Sequence, residues 1–224
     1  MKFINTDLKR IFTEPAFYIS IILGMLLLFG GFAYLMLTNS TDRLFETAQS
    51  LALPFAAPVL AAMPYSVMIM QEKETRYSSL MRIKLGGRGY QLRRLLTCGF
   101  SGAMALFIPH LMLFTVCTAI EGIGEYPAWQ LVIPLSFGFS YSAVSYGLTF
   151  VNRQRYVPLI MPQVIYLLAI YSFPILGLSR FYPPLDIAPS IYGGEITLDR
   201  FIIPALLTII AFLLTLLGKT GGRK

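Results

Sequence analysis

Of the chain's 224 residues 56% are hydrophobic and 13% charged, the mean hydropathy is +0.66 and the formal net charge is +7. A water-soluble chain of this length spreads charge over its surface, whereas here the charges fall in short clusters between long apolar runs. That pattern excludes a soluble enzyme or a nucleic-acid-binding domain and makes the lipid bilayer the solvent.

A bilayer core about 30 Å thick needs roughly 20 apolar residues per helical span. Six runs meet this, at residues 16–38, 51–70, 95–118, 131–151, 157–178 and 201–217. Continuous apolarity, rather than alternation, predicts helices and not barrel strands, because backbone amides in lipid must bond within their own segment. The first run follows a charged segment, yet it is too long for a signal peptide and no small-residue cleavage site follows it, so it is expected to remain in the mature protein. Pro54, Pro58 and Pro64 in the second run and Pro158, Pro162 and Pro174 in the fifth predict kinks. Gly99, Gly102, Ala103 and Ala105 in the third permit close helix contact.

Orientation follows from the cations, which are retained on the cytoplasmic side in short loops. Lys2, Lys9 and Arg10 precede the first run, and Lys73, Arg76, Arg82, Lys84, Arg88, Arg93 and Arg94 lie between the second and third. Arg153 and Arg155 separate the fourth and fifth, and Lys219, Arg223 and Lys224 follow the sixth. The alternate segments hold only Arg43, Arg180 and Arg200, against Asp42, Glu46, Glu121, Glu125, Asp186, Glu195 and Asp199. Both termini are therefore expected in the cytoplasm, with anionic lipid rather than nucleic acid as the counterpart of the positive charge.

The runs contain no Asp, Glu, Lys or Arg at membrane depth, which argues against a carrier driven by a proton or sodium gradient. Cys98 and Cys117 lie in one run, about 28 Å apart along a helix, and read as small buried apolar residues. His110 is the sole histidine, so histidines alone supply no metal site. A nucleophile dyad with Ser140 is a distant alternative to a helix-facing polar role. No stretch matches the phosphate-cradling GxxxxGK[ST] pattern: Gly218-Lys219-Thr220 ends it, but Leu213 stands where its first glycine belongs. No catalytic residue is expected in the chain.

Residues 71–94 form the one cytoplasmic connection large enough to hold structure. Tyr77, Leu80, Met81 and Leu85 fall on one helical face, with Lys73, Arg76, Arg82 and Lys84 largely off it. Gly86-Gly87-Arg88-Gly89 is then expected to break the helix and reverse the chain. This stretch, Glu72-Lys73-Glu74-Thr75-Arg76-Tyr77-Ser78-Ser79-Leu80-Met81-Arg82 followed by Arg88, Arg93 and Arg94, resembles the cytoplasmic element of the ABC-2 family of permeases. Arg76-Tyr77 stands where that family commonly has Gly-Thr, and Lys84 where it usually has proline.

Two further stretches resemble the family's layout. Residues 1–15, with Phe3, Ile4, Leu8, Ile11 and Phe12 apolar, look like its interfacial N-terminal helix. Ala188-Pro189-Ser190-Ile191-Tyr192, in the expected extracellular loop 179–200, looks like its proline-centred motif. The resemblance implies an all-α, six-span exporter permease in which 71–94 is a coupling segment seated on a separate ATP-binding subunit. Glu72, Glu74, Arg76, Tyr77, Leu80, Met81 and Arg82 would make that contact. ATP and magnesium would be held by that partner, with no cofactor in this chain. A second copy or a paralogous permease would complete the path in a plasma membrane, read as bacterial from the family alone.

Span four carries Ser136, Ser140, Tyr141, Ser142, Ser145 and Tyr146, and span five Tyr166 and Tyr171. Of these, Ser140, Tyr141, Ser145, Tyr166 and Tyr171 are the candidate path residues, neutral and suited to an amphipathic or hydrophobic cargo such as a peptide, antibiotic or lipid-like molecule. Interhelix hydrogen bonding explains the same residues. The alternative function is a non-transporting membrane anchor or assembly factor that holds a cytoplasmic partner through 71–94.

Overall fold

The computed structural model describes residues 9–38, 43–51, 53–74, 87–122, 128–151, 154, 156–187 and 198–217. Among them it is all-helical, without strands. The helices are α1 (Pro15–Leu37), α2 (Leu44–Leu51), α3 (Leu53–Glu74), α4 (Gly87–Glu121), α5 (Val132–Val151), α6 (Val157–Ile175) and α7 (Ile202–Leu217). Residues 9–13 are also helical, and single 3-10 turns lie at Ala128–Leu131, Ser179–Phe181, Pro183–Asp186 and Leu198–Phe201.

Each of the six apolar runs lies on a helix. Among the described residues three helices are long and apolar enough to cross a membrane: α1, α4 over Tyr90–Glu121, and α6. A fourth crossing arises if α2 and α3, bent by 72° at their junction, are one broken span. The polar composition of α5 comes from Ser136, Ser140, Ser142, Ser145, Tyr141 and Tyr146. Its position accounts for them: α5 packs against α3, α4, α6 and α7, and most of its residues are buried in protein rather than turned to lipid.

The tightest crossing is between α4 and α5. A Cβ added at Gly102 would lie 2.4 Å from Ser142 Cβ and 2.6 Å from the Ala61 carbonyl oxygen, and one at Gly138 would lie 2.5 Å from the Gly102 oxygen. Backbone therefore meets backbone, the approach that small residues allow when lipid offers no hydrophobic drive for association.

The prolines set a second constraint. Pro64 lacks the N–H that would bond the Leu60 carbonyl, and the Ser20 hydroxyl of α1 donates to that oxygen at 2.6 Å. Pro162 leaves the Pro158 carbonyl in the same position, and Ser145 of α5 donates to it, also at 2.6 Å. In both cases a serine on a neighbouring helix restores the bond that the proline removes.

The structure refines three expectations. Residues 71–74 belong to α3 and 87–94 to α4, so both ends of the 71–94 connection are continuations of the long helices. Of the glycine run expected to break the helix, Gly87, Arg88 and Gly89 are the first residues of α4, and Gly86 and the stretch before it lie outside the described residues. A glycine inside a helix costs only about 1 kcal/mol, less than is gained where Tyr90 and Leu95 bury apolar surface. The segment between the first two runs, expected outside, contains most of α2, whose Leu44, Phe45 and Ala48 are buried.

Replacing Gly102 with alanine should lower stability by about 1–3 kcal/mol, read as a fall in melting temperature in detergent. Gly30→Ala, with nothing within 4 Å of the added Cβ, should be neutral or stabilising by up to about 1 kcal/mol. Equal melting of the two variants would contradict the close crossing.

Candidate functional site

Where α3 ends and α4 begins, three charged side chains meet. Glu72 is 2% exposed. Arg10 Nη1, from the helical residues 9–13, donates to its Oε1 at 2.9 Å, and Arg94 Nη2 donates to its Oε2. Arg94 is 4% exposed, and its guanidinium carbon lies 5.1 Å from the Tyr90 ring centre and 5.7 Å from that of Tyr65. Tyr65 in turn meets Tyr146 of α5 edge-on, at 5.8 Å. Ile11, Phe17, Met68 and Leu95 are buried in the apolar layer that adjoins the cluster.

A buried carboxylate costs several kcal/mol in desolvation, and only close cations with directed hydrogen bonds offset it. Arginine suits the task better than lysine, since its planar fork can bond Glu72 while stacking on aromatic faces. Gln91, one helical turn before Arg94, is also buried, and its amide has no partner among the described residues. The cluster joins the N-terminal helix, the end of α3 and the start of α4, with α5 reached through Tyr65.

A second polar cluster stands at the other end of the bundle. Glu46 of α2, 8% exposed, accepts from Gln130 Nε2 at 2.7 Å and Arg43 Nη1 at 3.2 Å. Glu121 accepts from the Leu44 N–H at 3.3 Å. At 1.5 Å per residue, Arg94 and Glu121 lie about 40 Å apart along α4, the span of a bilayer with its headgroup layers. The two clusters thus sit at interfacial separation.

Among the residues expected to contact a partner, Glu72 points into the protein and is engaged by two arginines. Glu74 is the last residue of α3, and Arg76, Tyr77, Leu80, Met81 and Arg82 lie outside the described residues, as does 188–192. Among the candidate path residues, Ser140 donates to the Phe137 carbonyl at 2.9 Å and Ser145 to that of Pro158. Tyr141 stacks on Phe137 at 4.4 Å, and Tyr166 meets both rings edge-on. Those four are buried inside the bundle, whereas Tyr171 is 71% exposed on α6.

His110 is fully buried with Nδ1 2.7 Å from the Leu106 oxygen, so it and Ser140 each bond a carbonyl on their own helix and form no dyad. Cys98 and Cys117 are buried free thiols. Among the described residues no three His, Cys, Asp or Glu converge as a metal site.

Sequence reasoning missed the pairing of Arg10 and Arg94 with Glu72, and the role of Glu46. The available signal was a carboxylate just past one apolar run and an arginine just before the next, since a hairpin of two long helices brings those ends together. No family model, curated protein or solved structure matches the chain.

Glu72→Ala should destabilise by about 3–5 kcal/mol, because it strands a buried guanidinium. Arg94→Leu added to it should recover part of that loss, while Arg10→Ala, at a half-exposed position, should cost about 1 kcal/mol or less. Thermal melting of the three variants in detergent measures the order, and additive losses for the Glu72/Arg94 pair would show that the two are not coupled.

Proposed function

We propose that the chain is the permease subunit of an ATP-driven exporter of the ABC-2 type, spanning the plasma membrane six times with both termini in the cytoplasm. The Arg10–Glu72–Arg94 cluster carries this reading. Residues 75–86 join α3 to α4, and the buried ion pair ties those helices together where that segment leaves and rejoins them. A partner pressing on the segment would move α3, α4 and the N-terminal helix as one body, and Tyr65 against Tyr146 would carry the displacement to α5. Glu72 is then a brace within the lever, and the contacts to the ATP-binding subunit fall to Arg76, Tyr77, Leu80, Met81 and Arg82.

The cargo path lies between this chain and a second copy or paralogue. Ser140, Tyr141, Ser145 and Tyr166 are occupied inside the bundle, so the surfaces left to meet an amphipathic or hydrophobic cargo are the outward ones, such as the face of α6 with Ile160, Leu168 and Tyr171. ATP and magnesium belong to the partner subunit.

Co-purification from mild detergent tests the proposal, comparing the intact chain with a Leu80→Ala, Met81→Ala variant that leaves the brace untouched. The intact chain should bring down a nucleotide-binding subunit with ATP hydrolysis that responds to the permease, and the variant should lose either the subunit or the response. If no ATPase accompanies the intact chain, the permease reading fails and a non-transporting anchor that holds some other partner through 71–94 replaces it.

A further inference from the structure

Two helical faces share one pattern beside the ion-pair cluster, where Arg10 and Arg94, the chain neighbours of Lys9 and Arg93, bond the same carboxylate. On α4, Arg93 is exposed, and Leu96 and Phe100, three and seven residues further on the same face, are exposed below it. On the neighbouring path, Lys9 is exposed, and Phe12, then Tyr18, Ile22 and Leu26 of α1, continue as an exposed apolar face. Helices α1 and α4 pack against each other. The Tyr18 hydroxyl donates to the Phe12 carbonyl at 2.7 Å, which places an amphipathic ring at the level where the helix meets the bundle. At this corner stand Lys9, Arg10, Arg93 and Arg94 with Glu72 and Glu14, and the adjoining helix ends add Lys73 and Arg88 against Glu74, so six cations are set against three carboxylates and positive charge is left over above an apolar surface.

A cationic rim over an exposed aliphatic and aromatic face is complementary to one kind of molecule, a headgroup with negative charge attached to acyl chains. We propose that Lys9 and Arg93 hold the headgroup of an anionic phospholipid of the cytoplasmic leaflet, with its chains along the outward faces of α1 and α4. The inference rests on the cytoplasmic placement of the N-terminus, though not on the transport reading. Arg10 serves on one side the carboxylate of Glu72 and on the other the rim, so a bound headgroup adjoins the brace itself.

The test titrates the purified full chain in mild detergent with phosphatidylglycerol, with phosphatidylcholine and with inorganic phosphate, following the melting temperature and the lipid adducts in native mass spectra. Phosphatidylglycerol should stabilise the chain and remain bound, and the other two should not. A Lys9→Gln, Arg93→Gln variant should still fold, since both residues are exposed, and should bind phosphatidylglycerol roughly thirtyfold more weakly. Equal binding by the variant overturns the proposal, as does stabilisation by phosphate alone, which would make this a free-anion site. A change of oligomeric mass in the variant without loss of lipid also overturns it, identifying the face as a contact between copies. Labelling of Lys9→Cys in intact cells with an impermeant thiol reagent reads the topology separately: reaction from outside removes the cytoplasmic placement, whatever the detergent titration shows.

Discussion

A polar group placed in a bilayer has no water to fall back on, and the packing of this protein follows from that restriction. Pro64 of α3 and Pro162 of α6 lack the N–H that would bond the Leu60 and Pro158 carbonyl oxygens. Ser20 and Ser145 reach across from α1 and α5 to claim them. The serines thereby fix which helix lies beside which, and at what depth, since a slide of one turn along the axis would carry a hydroxyl about 5 Å from its carbonyl. The rule extends to charge at the helix ends, where Glu72 is tolerable because two guanidinium groups meet it.

The same restriction explains why α5 can carry more hydroxyls than a lipid-facing helix could. Four other helices surround it, and Ser140, Ser142, Ser145 and Thr149 each find a carbonyl within the protein. Its crossing with α4 at Gly102 and Gly138 is close enough that neither position accepts a side chain. Between the polar clusters at the two ends of the bundle, this crossing forms a narrow middle where the helices have least room to separate.

Much of the helical plan was legible in the sequence because run length and apolarity respond to a single variable, the thickness of the hydrocarbon layer. The ends of the helices were less legible. Glu72 beside Lys73 and Glu74 reads as part of a solvated charged turn, and only the meeting of residues 10, 72 and 94 in space turns it inward. Gly87 and Gly89 carry a local signal for a break, yet both lie in the first turn of α4, next to the buried Tyr90 and Leu95. Helix α2 was missed because its two buried faces are short: Leu44, Phe45 and Ala48 make a pattern too brief to stand out from a loop, although their spacing is helical. The serines of α5 suit both a path lining and interhelix bonding; in the fold Ser136 and Ser140 bond carbonyls of their own helix, while Ser142 and Ser145 bond carbonyls of α4 and α6.

Helix α7 introduces unequal depth. Its 16 residues extend about 24 Å, short of the roughly 30 Å hydrocarbon layer, while the 35 residues of α4 extend about 52 Å. On the six-span reading, the protein has one flank taller than the bilayer and one shorter. Hydrocarbon beside the outward face of Ile202, Leu206, Ile209 and Leu213 must thin or tilt to meet α7, at a fraction of a kcal/mol for each ångström of mismatch. On that reading the bilayer at that flank would be dimpled, its leaflets closer together than elsewhere, so that an amphipathic molecule travelling from one to the other would have a shorter distance to cross there than in the surrounding membrane.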